Sequence, residues 1–336
     1  MIEPRILIVS PVRNEAAHIE RVVRAVAAQQ LAPARWIVID DRSTDDTLAR
    51  LRRLEPELPF MEVCEAPADV VHAGARDRLA RAAAPRNFNA GLAHADWHEY
   101  THVMKLDGDI ELPPHYLRTL AERFAADRRL GLAGGVLDEP TPDGPPRRIV
   151  IPRHHVHGAL KLYTRECFAA IGGLQERLAW DTIDETYARM QGFQTVRFTD
   201  LVSVHHRPWG SADGAIRGRV RLGECAYITH YPPYWVLLRS LKLAAAVPRA
   251  RLGLAYLYGY GHAWARQVEQ VDDRDYRRFT RRELRARIRA AALPSRSRDG
   301  SRLSWDAAGR LSSSGAVWDG SGALWDAPRF RRRRGG

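Results

Sequence analysis

The 336-residue sequence is short of cysteine, of lysine and of long apolar runs. Its three cysteines, Cys64, Cys167 and Cys225, are odd in number, widely spaced and lack any CxxC pair. Neither a disulfide framework nor a thiolate zinc site is suggested, and a reducing, cytosolic compartment fits. No charge-free apolar run approaches the roughly 18 to 20 residues a spanning helix needs, and the first eleven residues have only a short apolar core, Ile6 to Ser10. Neither a transmembrane segment nor a signal peptide is expected. Of 52 basic residues only Lys105, Lys161 and Lys242 are lysine. Together with abundant Ala, Gly and Pro this reads as coding bias, so the arginine count is no argument for nucleic acid.

At 45% hydrophobic and 27% charged residues the chain belongs with globular proteins. The formal charge is +12, but residues 274–336 hold 17 arginines against 6 acids, leaving the first 273 residues at +1. The amino-terminal half alternates strand-like runs with helical periodicity. Arg5 to Ser10 is followed by Glu15 to Gln29, with Ile19, Val22, Val23 and Val26 at helical spacing, and then by Trp36 to Asp40. Asn14 is placed to cap the first helix, and Ser43 with Asp46 resembles a capping box for the second. The pattern continues through Phe60 to Glu65, a helix near Phe88 to Ala95, and the strand His102 to Leu106. About 130 residues of such alternation predict a Rossmann-like, mixed but mostly parallel sheet flanked by helices, with ligands at the carboxyl edge.

After Pro140 the spacing predicts a Pro/Gly-rich turn, a strand Ile149 to Ile151, helices at Arg165 to Ile171 and Thr182 to Gln191, and a strand Thr195 to Val204. Tyr234 to Trp264 reads as amphipathic helices interrupted by Arg239, Lys242, Arg249 and Arg251. These helices suit contact with a membrane surface and equally a packed layer on the preceding domain. From Pro294, Ser, Gly, Asp and Arg dominate, so 293–336 is expected to be a disordered basic tail. Its Trp-Asp pairs at 305, 318 and 325 lack the period of a propeller blade.

Asp107-Gly108-Asp109 follows an apolar strand and sets two hard carboxylates at the predicted ligand edge. Such ligands suit Mg²⁺ or Mn²⁺, which neutralise the charge of a leaving diphosphate. Short loops of this kind also arise by chance, and Asp40, Asp41 and Asp45 read as turn and capping residues when taken alone. His205 and His206 end the last strand and point to opposite faces, so at most one of them meets a common site. His154, His155 and His157 lack zinc spacing and read as loop residues.

The company these residues keep is more specific. Pro11-Val12-Arg13-Asn14-Glu15, the run Val38 to Thr47, Asn89-Ala90-Gly91-Leu92, Asp107-Gly108-Asp109, Gly172-Gly173-Leu174, the Trp180-Asp181 to Gly192 helix and His205-His206-Arg207 occur in that order. Together they resemble glycosyltransferase family 2, inverting nucleotide-sugar enzymes of the GT-A fold, over residues 5 to about 207. The resemblance implies a nucleotide-diphosphate sugar donor, a glycan or lipid-linked hydroxyl acceptor, and a role in bacterial cell-envelope or polysaccharide synthesis. By the same resemblance Pro11, Arg13, Asn14, Glu15 and Asp40 or Asp41 grip the nucleoside, and Arg86 reaches a phosphate or ribose. Asp107 and Asp109 hold Mn²⁺ or Mg²⁺; read from its own place at the end of the last strand, a neutral His205 is either a further metal ligand or a holder of the departing diphosphate. Counting back eleven residues from Gly192 gives Asp181 as general base, with Trp180 where an acidic or aromatic residue sits in the family. Asp184 and Glu185 follow on the same helix face and are the alternatives as base or acceptor holder.

The implied organisation is a GT-A catalytic domain at 1–230, a helical extension at 231–292 and the tail. The rivals are weaker. A nucleotidyltransferase opens with a Gly-rich phosphate loop, whereas Ser10 to Glu15 has no glycine. A nucleic-acid-binding protein would carry its positive charge on the folded body, where here there is almost none.

Overall fold

The computed structural model describes residues 3–67, 82–141, 144–149, 151–207, 214–245, 250–292, 303–305 and 311–313. The opening β-α-β-α-β run is β1 (Ile6–Val12), α1 (Ile19–Ala27), β2 (Arg35–Asp40), α2 (Thr47–Leu54) and β3 (Met61–Glu65). Then come α3 (Ala83–Leu92), β4 (His102–Leu106), β5 (Ile110–Glu111), α4 (Tyr116–Ala126), β6 (Leu130–Thr141) and β7 (Gly144–Arg148). The sheet-bearing part closes with β8 (Leu160–Thr164), α5 (Arg165–Ala170), α6 (Trp180–Met190) and β9 (Gln194–His205). One sheet in the order β3-β2-β1-β4-β8-β6-β9-β5, with β7 on β6, joins all nine strands. β1 to β4, β6 and β9 run one way, while β5, β7 and β8 run the other.

Burial on both faces explains the near-continuous apolar strands. In β1, Ile6 and Ile8 pack with α1, α2 and α4, while Leu7 and Val9 pack on the opposite side with Phe88, Cys167 and Phe168. Chain order reverses between β1 and β4. Their adjacent carboxyl ends, Pro11 to Glu15 and Asp107 to Asp109, therefore flank a topological switch point, where open sheets bind ligands.

Helices α7 (Gly214–Ile228), α8 (Pro233–Ala245), α9 (Ala250–Ala265) and α10 (Arg274–Ala292) follow. α7 and α9 approach so closely that a Cβ on Gly259 would lie 1.9 Å from the Val220 carbonyl oxygen. α10 docks on α6 through Arg189 and Glu283 (2.9 Å) and the Tyr187–Tyr276 ring contact. No helix among the described residues is long and apolar enough to cross a membrane.

Several local expectations are corrected. Position 18, not Asn14, precedes α1; Asn14 sits at φ +54° and its amide oxygen accepts from Thr44 N at 2.8 Å, tying two loops together. Ser43 does not cap α2, because its amide and hydroxyl both donate to the Asp40 carboxylate, and Asp46 precedes the helix. The strand expected at 149–151 is met by β7, which ends at Arg148, paired with Asp138 of β6; residue 150 lies outside the described residues. Within the segment expected to be a disordered tail, β10 (Leu303–Trp305) and β11 (Leu311–Ser313) pair antiparallel; the rest of 293–336 lies outside the described residues.

Candidate active site

The loop after β1 is welded to the loop after β2. The Arg13 guanidinium donates to the backbone carbonyls of Asp41 and Arg42. Glu15 N donates to Thr47 Oγ1 (2.7 Å), and Asp45 accepts from Thr47 and from Ala16 N. Asp40 is buried and turned inward on Ser43, and Asp41 beside it is buried against Arg42. Of the residues expected to grip the nucleoside, Arg13, Asn14 and Asp40 thus shape the loops by their own hydrogen bonds.

The loop after β4 meets the end of β9. Asp109 Oδ2 lies 3.5 Å from His205 Nε2 and 4.0 Å from Arg207 Nε. His205 Nδ1 faces Glu139 Oε1 at 3.7 Å, and Arg207 also pairs with Glu15 (2.7 Å) and donates to the Asn14 carbonyl (3.0 Å). Asp107 is bound by Lys105, a buried ammonium that also donates to the Gly158 carbonyl at 2.9 Å. His206 points the other way, onto Glu111 (2.8 Å) and stacked on His18, as strand alternation requires.

Electrostatics follow from this crowding. Burial, with Asp109 close by, pushes the Glu15 carboxyl up to about 8 against the opposing pull of Arg207. Burial also acts to raise Asp109, but His205 and Arg207 outweigh it and hold the carboxyl below its ordinary range. His205 is displaced upward because Asp109, Asp107 and Glu139 overcome its burial. The Asp107 carboxyl is raised by burial despite Lys105.

A second cluster lies along α6. Lys161 Nζ is fully buried and donates to both Asp184 oxygens (2.9 and 2.8 Å) and to the Asp181 carbonyl (2.6 Å). Asp184 further accepts from Tyr163 Oη (2.5 Å) and from Glu185 N (2.6 Å). Glu185 is engaged by His155 (2.9 Å), Val156 N (2.7 Å), Lys161 (3.2 Å) and Arg189 (3.7 Å). Burial would lower the Lys161 pKa, but Asp184 and Glu185 outweigh it and raise it. The Asp181 side chain is half-buried in the first turn of α6 and has no hydrogen-bond or ion-pair partner among the described residues. It is not the N-cap, since Ala179 occupies that position at φ +70°. The Trp180 ring receives both lysines in cation–π contact, Lys105 Nζ at 5.2 Å and Lys161 Nζ at 5.4 Å from its centre. Gly158 lets this end of α6 approach, since a Cβ there would sit 3.1 Å from the Trp180 ring and 3.3 Å from Asp181 Cβ.

Arg86 stands apart on α3, paired with Glu176 at 2.9 Å. Sequence reasoning assigned no role to Lys105, Lys161, Glu139 or Arg207. A signal existed for the first two: they are two of only three lysines, and they face each other in register across β4 and β8.

Residues 7–172 match the sequence profile of glycosyl transferase family 2. This chain carries a family 2 glycosyltransferase domain. Among solved structures, the mannosyltransferase PcManGT from Pyrobaculum calidifontis, in complex with GDP-Man and Mn²⁺, superposes with a TM-score of 0.51 at 19% identity. That match covers 88% of this chain and 82% of the other. TarS of S. aureus (residues 1–349, with UDP-GlcNAc) gives 0.49 at 12% identity over 96% and 99% of the two chains. At 19% identity the likeness to the mannosyltransferase shows the GT-A fold alone. No curated protein sequence matches the chain.

Proposed function

We propose that the domain is a metal-dependent, inverting glycosyltransferase that moves a sugar from a nucleotide diphosphate to a hydroxyl acceptor in cell-envelope or polysaccharide synthesis. The observation that carries this is the convergence of Glu15, Asp109, His205 and Arg207 at the switch point of the sheet. A hard carboxylate facing an imidazole nitrogen 3.5 Å away is a donor set that fits Mn²⁺ or Mg²⁺. Asp109 and His205 would hold the ion, with Asp107 beside them, and the ion would supply positive charge to the departing diphosphate. The welded loops after β1 and β2 form the nucleoside cradle, where buried Asp41 faces the base and Pro11 and Glu15 line the floor. Arg86 reaches the donor only by leaving Glu176.

Asp181 takes the acceptor proton. Asp184 has both oxygens filled by donors and Glu185 is likewise engaged, so they act as the frame that fixes the first turn of α6, through Lys161 and the Asp181 carbonyl. Trp180 offers an aromatic surface beside that base. Attack by the activated hydroxyl opposite the leaving diphosphate inverts the anomeric centre in one displacement.

The acceptor side extends to a membrane surface. Tyr234, Leu237, Leu238 and Leu241 of α8, with Leu254, Leu257 and Tyr258 of α9, are large apolar residues left exposed at helical spacing. No acid occurs from residue 225 to 268, against five cations. An apolar stripe edged only by positive charge suits an anionic bilayer face, and hence a lipid-linked acceptor at the inner face of the cell membrane.

The test is calorimetric titration with GDP-mannose, the donor seen with the mannosyltransferase relative, and with a panel of other nucleotide sugars, each with and without Mn²⁺. Metal-enhanced binding of one donor, abolished with turnover in Asp109→Ala, is the expected result. Full activity in that variant or under exhaustive chelation would overturn the metal-dependent reading.

A further inference from the structure

A second cluster of metal-ligating side chains lies outside the donor site, at the edge of the sheet. Glu62 and Cys64 are two residues apart on β3 and so project from the same face of that edge strand. His94 comes from the turn that closes α3, where its amide bonds the Gly91 carbonyl. Cys64 Sγ lies 3.5 Å from Glu62 Oε1 and 3.6 Å from His94 Nδ1, and the three ligand atoms are all within 4.8 Å of one another. A tetrahedral zinc centre with Zn–S of about 2.3 Å and Zn–N or Zn–O of about 2.0 to 2.1 Å has sulfur-to-nitrogen and sulfur-to-oxygen edges of roughly 3.5 to 3.6 Å. Both measured edges have that length.

The surroundings agree with an ion. The second Glu62 oxygen is held at 2.5 Å by Arg35, as ligating carboxylates are commonly held by a supporting donor, which leaves Oε1 turned to Cys64. One carboxylate and one thiolate balance a divalent charge. His94 is exposed and Cys64 half-buried, so solvent can reach a fourth position. Sequence spacing hid the cluster because its members are two and thirty residues apart and no CxxC marks them.

We propose that Glu62, Cys64 and His94 bind one Zn²⁺, with water as the fourth ligand. The Cys64 thiol proton is released to solvent on binding. The ion fastens β3 to the end of α3, the helix that carries Arg86. The Cys64 thiolate selects Zn²⁺ over Mg²⁺ and Mn²⁺, so this site and the Asp107-Gly108-Asp109 loop take different ions. Nothing in the proposal depends on the transferase reading.

Cobalt is the probe. Co²⁺ added to the untagged, reduced full-length chain should give thiolate-to-cobalt charge-transfer absorption with tetrahedral d–d bands, saturating at one ion per chain and abolished by Zn²⁺. The signal should survive Asp109→Ala, vanish in Cys64→Ser, and need at least roughly tenfold more Co²⁺ in His94→Ala and in Glu62→Gln, with circular dichroism unchanged in each. Absence of a thiolate band in the wild type would overturn the proposal. So would a band that persists in Cys64→Ser, unchanged affinity in His94→Ala, or one ion per two chains.

Discussion

Replacing Asp184 by Asn should cost stability, and replacing Asp181 by Asn should cost turnover. Asp184 is 3% exposed, and each of its oxygens receives two donors: Lys161 and Glu185 N on one, Lys161 and Tyr163 Oη on the other. An asparagine keeps the shape but turns an NH₂ toward at least one of these donors and leaves the Lys161 ammonium facing Glu185 alone, 3.2 Å away. Breaking a buried ion pair from one side costs about 3 to 5 kcal/mol. For a body of this size that corresponds to a fall in Tm of roughly 6 to 12 °C. Asp181 has no side-chain partner to lose among the described residues, so its amide variant should stay within about 0.5 kcal/mol of the parent. As the proton acceptor it should instead lose about 10² to 10⁴ in kcat. Thermal unfolding by circular dichroism, and kcat and KM measured at a temperature where all three proteins are folded, separate the two effects. If Asp184→Asn unfolded within 1 °C of the parent while losing more kcat than Asp181→Asn, the base would be Asp184 and the frame argument would fail.

Three other outcomes are expected. Leu238→Asp combined with Leu254→Asp should abolish co-sedimentation with phosphatidylglycerol vesicles and leave turnover on a soluble acceptor unchanged; retained vesicle binding would remove α8 and α9 from the membrane reading. His102 is buried beside Phe124 and its pKa is lowered to about 4 by that burial, so below pH 6.5 the unfolded chain takes a proton that the folded one resists. Stability should therefore fall as pH drops from 6.5 toward 4, by on the order of 2 to 3 kcal/mol from this group, and His102→Gln should flatten that part of the pH–stability profile. Truncation after Ala292 should leave Tm and kcat on a soluble acceptor unchanged, because the basic segment contains none of the site residues; loss of either would make it part of the catalytic body.

The apolar runs were enough to place β1 and β2, which are buried on both faces, β4, which is buried along its whole length, and the edge strand β3, whose Met61 and Val63 bury one face. The carboxyl-edge loops followed from that alternation, and so did the candidate carboxylates. What these carboxylates do was not legible. Asp181, Asp184 and Glu185 share a helix end, and spacing alone makes each a base. Only the partners brought in by β8 and by the loop at His155 reveal that two of the three are saturated. The capping assignments for Asn14 and Ser43 failed for a related reason. Both residues stand where a local cap is chemically sensible, yet their donors and acceptors are taken by a neighbouring loop some thirty residues away in one case and by Asp40 in the other.

The charges around Asp109 bear on the proposed metal dependence of the donor site. A diphosphate brings two or more negative charges to an edge that already holds the Asp107 and Asp109 carboxyls beside Glu15, whose own charge burial disfavours. The positive groups beside them face carboxylates: Lys105 faces Asp107, Arg207 faces Glu15, and His205 sits between Asp109 and Glu139. Like charges about 4 Å apart repel by roughly 4 kcal/mol at a partly screened site, so bare diphosphate is disfavoured unless one of these pairs opens or a divalent ion enters. Opening Lys105 would leave a buried ammonium against Trp180 without its carboxylate, and moving Arg207 would release the β1 loop from the end of β9. Entry of an ion at Asp109 and His205 requires neither change. The same pairs that tie β1, β4 and β9 together therefore make metal-assisted donor binding the route with least structural cost.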